Sequence, residues 1–258
     1  MKHNKTPLLA QIIFIIAVVI LWQILYSMEI WPQILFPSIS DIGNALVDGF
    51  VKRNLGGMVL HSLKLLLEGL VIGLLAAVVL SSLAVTFRPF YAIYNMVVSM
   101  MDLIPGVALI PIAILWLGIG DASIIFMVIH SVIWPMSRST IDGFNAIPNL
   151  YIEVGRNIGM SRAQMISGVY LPATLPRIFS GIKVGWARAW RGLISAEMIF
   201  GGGAALGIGY FITDRRTNMD ISGVFAAIIV IIVIGIIIEY GIFRIIENKT
   251  FKKWGMAR

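Results

Sequence analysis

The chain has 258 residues, 59% of them hydrophobic and only 13% charged, with a net charge of +7 and no cysteine. Soluble domains carry about 25% charged residues and roughly 45 to 50% apolar ones, so an ordinary soluble core is excluded. The absence of cysteine excludes a disulfide framework, a thiol nucleophile and thiolate metal ligands, and His3, His61 and His130 show no metal-ligand spacing.

Apolar windows able to cross a hydrocarbon layer of about 30 Å recur along the whole chain. They predict an all-α polytopic membrane protein with six spans, near residues 8–28, 60–85, 91–117, 122–143, 173–200 and 221–246. The first run follows Lys2 and Lys5 but is long for a signal-peptide core, and "LYSMEIWP" offers no small-x-small cleavage site, so it reads as a retained span.

After it, "LFPSISDIGNALVDGFV" has Pro37 and Ser38 ahead of Ile42, Leu46, Val47 and Phe50, a spacing that predicts a short amphipathic helix in the outer interface. In the second span Lys64 precedes Glu68 by one turn, which predicts a structural pair. Span three, "DLIPGVALIPIAILWLGIG", carries Pro105 and Pro111. Each removes a backbone donor and predicts a kink, serving either packing or a pathway-lining wall.

The polar stretch after span four predicts two short helices at about 148–170. Leu150, Val154 and Ile158 form an apolar face on the first, flanked by Glu153 and Arg156, and Gly159 ends it. "SRAQ" then has the capping-box form, with Ser161 and Gln164 satisfying backbone donors reciprocally. The second helix carries Met165, Ile166 and Val169 until "LPATLP" stops it and starts span five.

On span five Arg177, Arg188, Arg191 and Ser195 share one side, with Gly181, Gly185 and Gly192 beside them, while Trp186, Trp190 and Glu197 face the other way. Guanidinium groups bind oxyanions through paired hydrogen bonds, so Arg188 and Arg191 are candidate pathway residues. The competing reading is that they pair with Asp102 or Glu197 and hold helices together. "GGGAALGIGY" after span five reads as a gate, a receptor-facing loop or a flexible return.

With both termini inside, the inner segments hold Lys2, Lys5, Arg88, Arg138, Arg156, Arg162, Arg177, Arg244, Lys249, Lys252, Lys253 and Arg258. The outer ones hold only Lys52, Arg53, Arg215 and Arg216. This asymmetry is the positive-inside pattern, and it explains the basic excess without nucleic acid as a partner.

"EVGRNIG" from Glu153 to Gly159, followed by "LPATLP" from Leu171 to Pro176, resembles the EAA motif of permease subunits of bacterial ATP-binding-cassette importers. The alanines of that motif are Val154 and Gly155 here. "FPSISDI", "LIPGVALIPIAILWLGIGDAS", the "WP" at Trp134 and Pro135, "ARAWRGLISAEMI", "LGIGY" and Trp254 are similar to the nitrate, aliphatic sulfonate, taurine and bicarbonate branch.

The resemblance implies one permease domain over residues 1–258 with a type I importer fold, in a bacterial inner membrane with both termini cytoplasmic. It implies a second permease copy, two cytoplasmic ATPase subunits that bind Mg-ATP, and an extracytoplasmic solute-binding protein, with no cofactor in this chain. Glu153, Val154, Gly155, Gly159, Ser161, Gln164, Leu171 and Pro172 would then form the ATPase-coupling region. Pro105, Pro111, Arg188, Arg191, Ser195 and Glu197 are candidates for the translocation path of a small oxyanion.

No G-x-x-x-x-G-K-[ST] phosphate loop occurs, so the chain is expected not to be an ATPase itself. Two other classes remain open. One is an ion-coupled secondary transporter using Asp102, Glu197 and Glu239, against which no inverted repeat is visible. The other is a membrane scaffold, and within the importer class a heterocyclic vitamin precursor is the alternative cargo.

Overall fold

The computed structural model describes residues 6–200 and 206–250. Among them the chain is helical throughout, without a strand. Trp254 and residues 201–205 of the glycine-rich turn lie outside the described residues.

The central element is α6 (Asp121–Asn145), clasped by α3 (Leu55–Thr86) and α9 (Leu171–Phe200). Small side chains explain the closeness. On α3, Gly69, Gly73, Ala77, Ser81 and Ala84 recur at three- to four-residue spacing and are all buried. A Cβ at Gly69 would lie 2.5 Å from Val128 Cγ1, and one at Gly73 would lie 3.0 Å from Val132 Cβ. On α9 a Cβ at Gly181 would lie 2.7 Å from Ser139 Cβ.

Within hydrocarbon, helices associate by such close van der Waals contact rather than by expulsion of water. The glycine strip of span five therefore faces α6. Trp186 and Trp190 are buried on its other side, stacked at 6.2 Å, with Trp186 edge-on to Phe243 at 5.8 Å.

Four helical stretches are long and apolar enough to cross a membrane: Leu9–Ser27 within α1 (Thr6–Ser27), α3, α6, and Ile221–Thr250. The last comprises α11 (Ile221–Ile236), a π-helical turn over Ile237–Phe243, and a short α12 (Arg244–Thr250). A fifth candidate is the pair formed by α4 (Arg88–Met101) and Gly106–Leu117, bent by 93°. The 30 residues of α9 reach about 45 Å at 1.5 Å per residue, but five ionisable side chains make it less apolar than the others.

The expected kinked third span is thus a broken one. Helix α4 ends at Met101, residues 102–105 turn, and a 3-10 segment (Gly106–Leu109) leads into α5 (Ile110–Leu117). Pro105 stands in extended backbone at the head of the 3-10 segment, and Pro111 occupies the first turn of α5, where its missing N–H costs nothing. The bend is made by the turn before Pro105 rather than by two proline kinks.

A second difference concerns "LPATLP". Helix α8 (Arg162–Met165) passes through a π-helical stretch, Ile166–Tyr170, directly into α9, so Pro172 and Pro176 do not stop it. The wider π turn pairs the Leu171 N–H with the Ile166 carbonyl. It thereby absorbs the register change that a proline one residue later would otherwise force on the preceding turn.

Helix α2 (Ile39–Lys52) forms as the sequence predicts, with Ser38 and Asp41 making a capping box. It packs on α11, with Ile42 and Gly49 buried and Gly49 set against Leu55 and Phe211, leaving Val47, Phe50 and Val51 exposed. The return after span five is not slack throughout, because α10 (Ile208–Thr217) follows, with Ile208 and Phe211 buried. Arg215 is buried at the α10–α11 corner, bonded to Asp214 and Asp220, 3.3 Å from the latter, and lies 5.4 Å from the Phe211 ring.

Candidate functional site

Two regions gather the predicted residues. The first is a cavity of about 370 Å³ at the α4–α5 break, walled by α6 and α9. Pro105, Arg188, Arg191 and Ser195 line it, and Asp102 lies on the turn that opens it. Arg188 lies near the middle of α9, so this irregular backbone stands level with the middle of that helix, beside a polar cavity where such backbone is tolerated.

Asp102 is the hub of the wall. It accepts a hydrogen bond from Arg188 Nη1 on α9, and Arg138 Nε on α6 lies 3.4 Å from its other oxygen. One carboxylate therefore ties the turn to two helices. Arg191 has no side-chain partner among the described residues and points its charge at the cavity unopposed. Structural pairing and an open guanidinium are both present, on neighbouring turns of one helix.

Pro111 and Glu197 do not line this cavity. Glu197 is fully buried on the opposite side of α9. It accepts from Ser62 Oγ at 2.7 Å and from the Gly209 N–H at 2.8 Å, while Ser62 Oγ accepts from the Ile208 N–H at 3.0 Å. The carboxylate and the serine together satisfy the first turn of α10, where orphan N–H groups and the helix dipole favour negative charge. Glycine is required around it, since a Cβ at Gly207 would lie 2.0 Å from Glu197 Oε1.

The remaining intramembrane charges pair as structural groups. Lys64 Nζ and Glu68 are 3.9 Å apart on α3, and Lys183 Nζ is 2.8 Å from Glu239 in the π-helical turn. Among the described residues no three His, Asp or Glu side chains converge as metal ligands.

The second region is the helix pair at the far end of the bundle. Helix α7 (Asn149–Asn157) ends at Gly159, whose φ of +74° is the left-handed value glycine adopts freely. The Gly159 N–H donates to the Arg156 carbonyl at 3.0 Å and the Met160 N–H to that of Gly155 at 3.0 Å, the double closure of a Schellman motif. The next helix begins with the expected capping box, Ser161 N–H to Gln164 Oε1 at 2.8 Å and Gln164 N–H to Ser161 Oγ at 3.3 Å.

Gly155, where the EAA pattern has alanine, is buried under methionine: a Cβ there would lie 2.5 Å from Met165 Sδ. The glycine and the two methionines, Met160 and Met165, are mutually fitted, a compensation that no single position in the sequence signals. Leu150, Val154 and Ile158 form the predicted face, and all three are exposed. Glu153 lies at its edge, while Leu171 and Pro172 fall at the junction of the π turn and α9.

The sequence reading missed His130 and Trp134 as cavity-lining groups. They stand four apart on α6, as His130 and the "WP" motif would allow, but only the α4–α5 break exposes that face of α6 to a cavity.

A helical membrane protein with a broken span over a polar cavity, and a capped, apolar helix pair at one end, has the features of a transport component. Residues 69–252 match the family described as binding-protein-dependent transport system inner membrane component, and the chain belongs to that family. It is 27% identical over 254 residues to a putative ABC transporter permease protein of Methanocaldococcus jannaschii, spanning 97% of this chain and 94% of the relative. It is 29% identical over 231 residues to the nitrate import permease protein NrtB of Synechocystis sp., spanning 87% and 83%. A putative aliphatic sulfonates transport permease protein, SsuC of Bacillus subtilis, is 34% identical over 154 residues, 60% of this chain and 54% of that one.

Proposed function

We propose that the chain is the transmembrane subunit of an ATP-driven importer of small oxyanions, working as a homodimer with two cytoplasmic ATPase subunits and an external solute-binding protein. The observation that carries this is the exposed face of Leu150, Val154 and Ile158, on a short helix closed at its C-terminal end by the Gly159 turn in a transport-family chain. Apolar side chains at the mouth of a membrane bundle are costly unless a partner covers them.

In this reading the α7–α8 end is cytoplasmic, and the partner ATPase pushes on Val154 and its neighbours. The rigid caps at Gly159 and Ser161 pass that displacement through the π turn into α9 and the broken span. Six spans, with α9 counted as the fifth in chain order, place both termini in the cytoplasm and match the distribution of basic residues. The nitrate and sulfonate named for the relatives, with Arg188 and Arg191 beside the cavity, support a small oxyanion as cargo.

An ion-coupled transporter has no observation in its favour, because each of its coupling carboxylates is already partnered: Asp102 by Arg188 and Arg138, Glu239 by Lys183, Glu197 by Ser62 and Gly209.

The test is co-purification of the ATPase subunits and ATP-driven uptake in proteoliposomes for Val154→Asp and Gly159→Val. The first puts a charge on an exposed apolar face without touching the bundle. The second forces a β-branched residue into a left-handed backbone. Both are expected to lose ATPase association and uptake while the chain stays folded; retained association and uptake in both would overturn the coupling assignment.

A further inference from the structure

The unsatisfied polar atoms beside the broken-span cavity include two buried donors. Trp134 Nε1 is buried and has no hydrogen-bond partner among the described residues, and an indole nitrogen only donates. His130 is about nine-tenths buried, both its ring nitrogens lack a partner, and an imidazole carries at least one N–H in either tautomer. Buried donors left unmet are rare and costly. The two rings meet edge to face at 5.9 Å, so their donors belong to one patch of α6.

The cavity hydroxyls do not meet these donors. Ser131 Oγ donates to the Met127 carbonyl at 2.9 Å, and Ser195 Oγ donates to the Arg191 carbonyl at 3.0 Å. Charge points the same way. Asp102, the carboxylate of the wall, is already held by Arg188 and Arg138, while Arg191 is uncompensated. A cationic ligand would have to take Asp102 from two guanidinium groups, whereas an anion needs to displace nothing.

We propose that this cavity is a binding site for a small oxyanion whose oxygens are met by Arg191 and, once their rings turn toward the cavity, by His130 and Trp134, with Asp102 holding Arg188 out of competition at its edge. The inference rests on the reading of the chain as an oxyanion permease and adds the residues that take the cargo. The planar guanidinium of Arg191 offers two parallel N–H bonds to a nitrate, carboxylate or sulfonate face, and the α6 donors complete the shell. Asp102 keeps the site moderate in strength: with Arg188 also free, two adjacent guanidinium groups would hold an anion too tightly to release it.

Two measurements separate the inference from the reading beneath it. The first is uptake of nitrate, ethanesulfonate and bicarbonate by proteoliposomes containing the permease, its ATPase and its binding protein. The second is thermal denaturation of the permease–ATPase complex in nanodiscs, with nitrate or ethanesulfonate compared with chloride at equal ionic strength. The oxyanion is expected to raise the wild-type midpoint above that in chloride.

Arg191→Gln should abolish this difference, and Trp134→Phe, which removes the N–H and keeps an aromatic ring, should require about tenfold more anion for the same rise. His130→Gln, which retains a donor, should weaken it less, and Lys64→Gln at the exposed α3 pair should match wild type. Wild-type uptake combined with variants that respond to oxyanion as wild type does would overturn the site and leave the permease reading standing. An oxyanion effect in wild type no larger than that of chloride would likewise overturn the site. Absence of uptake of all three anions would overturn both.

Discussion

Glu197 and Asp102 are both carboxylates held against α9 inside the membrane-embedded bundle, yet they solve the cost of that location in opposite ways. Glu197 is sealed, with neutral donors from Ser62 and the first turn of α10 and no exposure. Asp102 keeps part of its side chain exposed to a cavity and is neutralised by arginines from two helices. Neutral donors on fixed backbone make a permanent fastening. An ion pair across a turn makes one that can be exchanged, because its partners are separate side chains and water can reach them. The contrast places a sealed fastening at one end of α9 and a partly exposed ion pair near its middle.

The sharpest way to break the contrast is Glu197→Ala. It strips acceptors from the Ser62 hydroxyl and the Gly209 N–H and leaves a void, so a loss of about 3 kcal/mol is expected. Thermal unfolding in detergent measures it, and a loss comparable to that of an exposed-site variant would mean that α10 is not fastened there. Asp102→Asn is expected to cost less than about 1 kcal/mol of stability, its pairs being partly solvated. Uptake should nevertheless fall about tenfold, since Arg188 is released into the site, a factor equivalent to ~1.4 kcal/mol. Equal losses of stability at both carboxylates would erase the distinction between fastening and joint.

Asp48, on the exposed face of α2, marks the small end of the scale. Hydrogen bonds from Lys52 and Arg53 lower its pKa below the ordinary 3.8. A depressed carboxylate stabilises the fold above its unfolded pKa, and that contribution is lost as pH falls through the folded one. The small difference in unfolding midpoint between wild type and Asp48→Asn should therefore be flat from about pH 5 to 8 and close only in more acidic solution, shrinking also with added salt. A slope near neutrality would show that α2 carries a coupling absent from its exposed ion pairs.

Much of this architecture is legible in particular residues. The placing of Gly181, Gly185 and Gly192 along one side of α9 marked a packing face, and "SRAQ" and Gly159 marked helix ends, because capping chemistry acts within four residues. The helix pair after α6 was legible as an amphipathic pair for the same reason. The broken span was half legible: Pro105 and Pro111 announced irregularity but not where the turn would fall. The continuity of α8 into α9 was missed, since a π turn that accommodates Pro172 leaves no composition signal.

His130 and Trp134 were invisible as site residues, and the burial of Gly155 beneath Met160 and Met165 was equally so. The sequence by itself determined the membrane class, the helix faces and the charge asymmetry, which follow from local periodicity or from residues close in the chain, and its motifs carried the family resemblance. The Lys64–Glu68 pair was legible from its one-turn spacing, but only the tertiary structure decided which intramembrane charges pair between helices and which are open. Partners such as Asp102 and Arg188, or Ser62 and Glu197, stand 86 and 135 residues apart, and the electrostatics of a buried group depend on what comes within a few ångströms rather than on its neighbours in sequence.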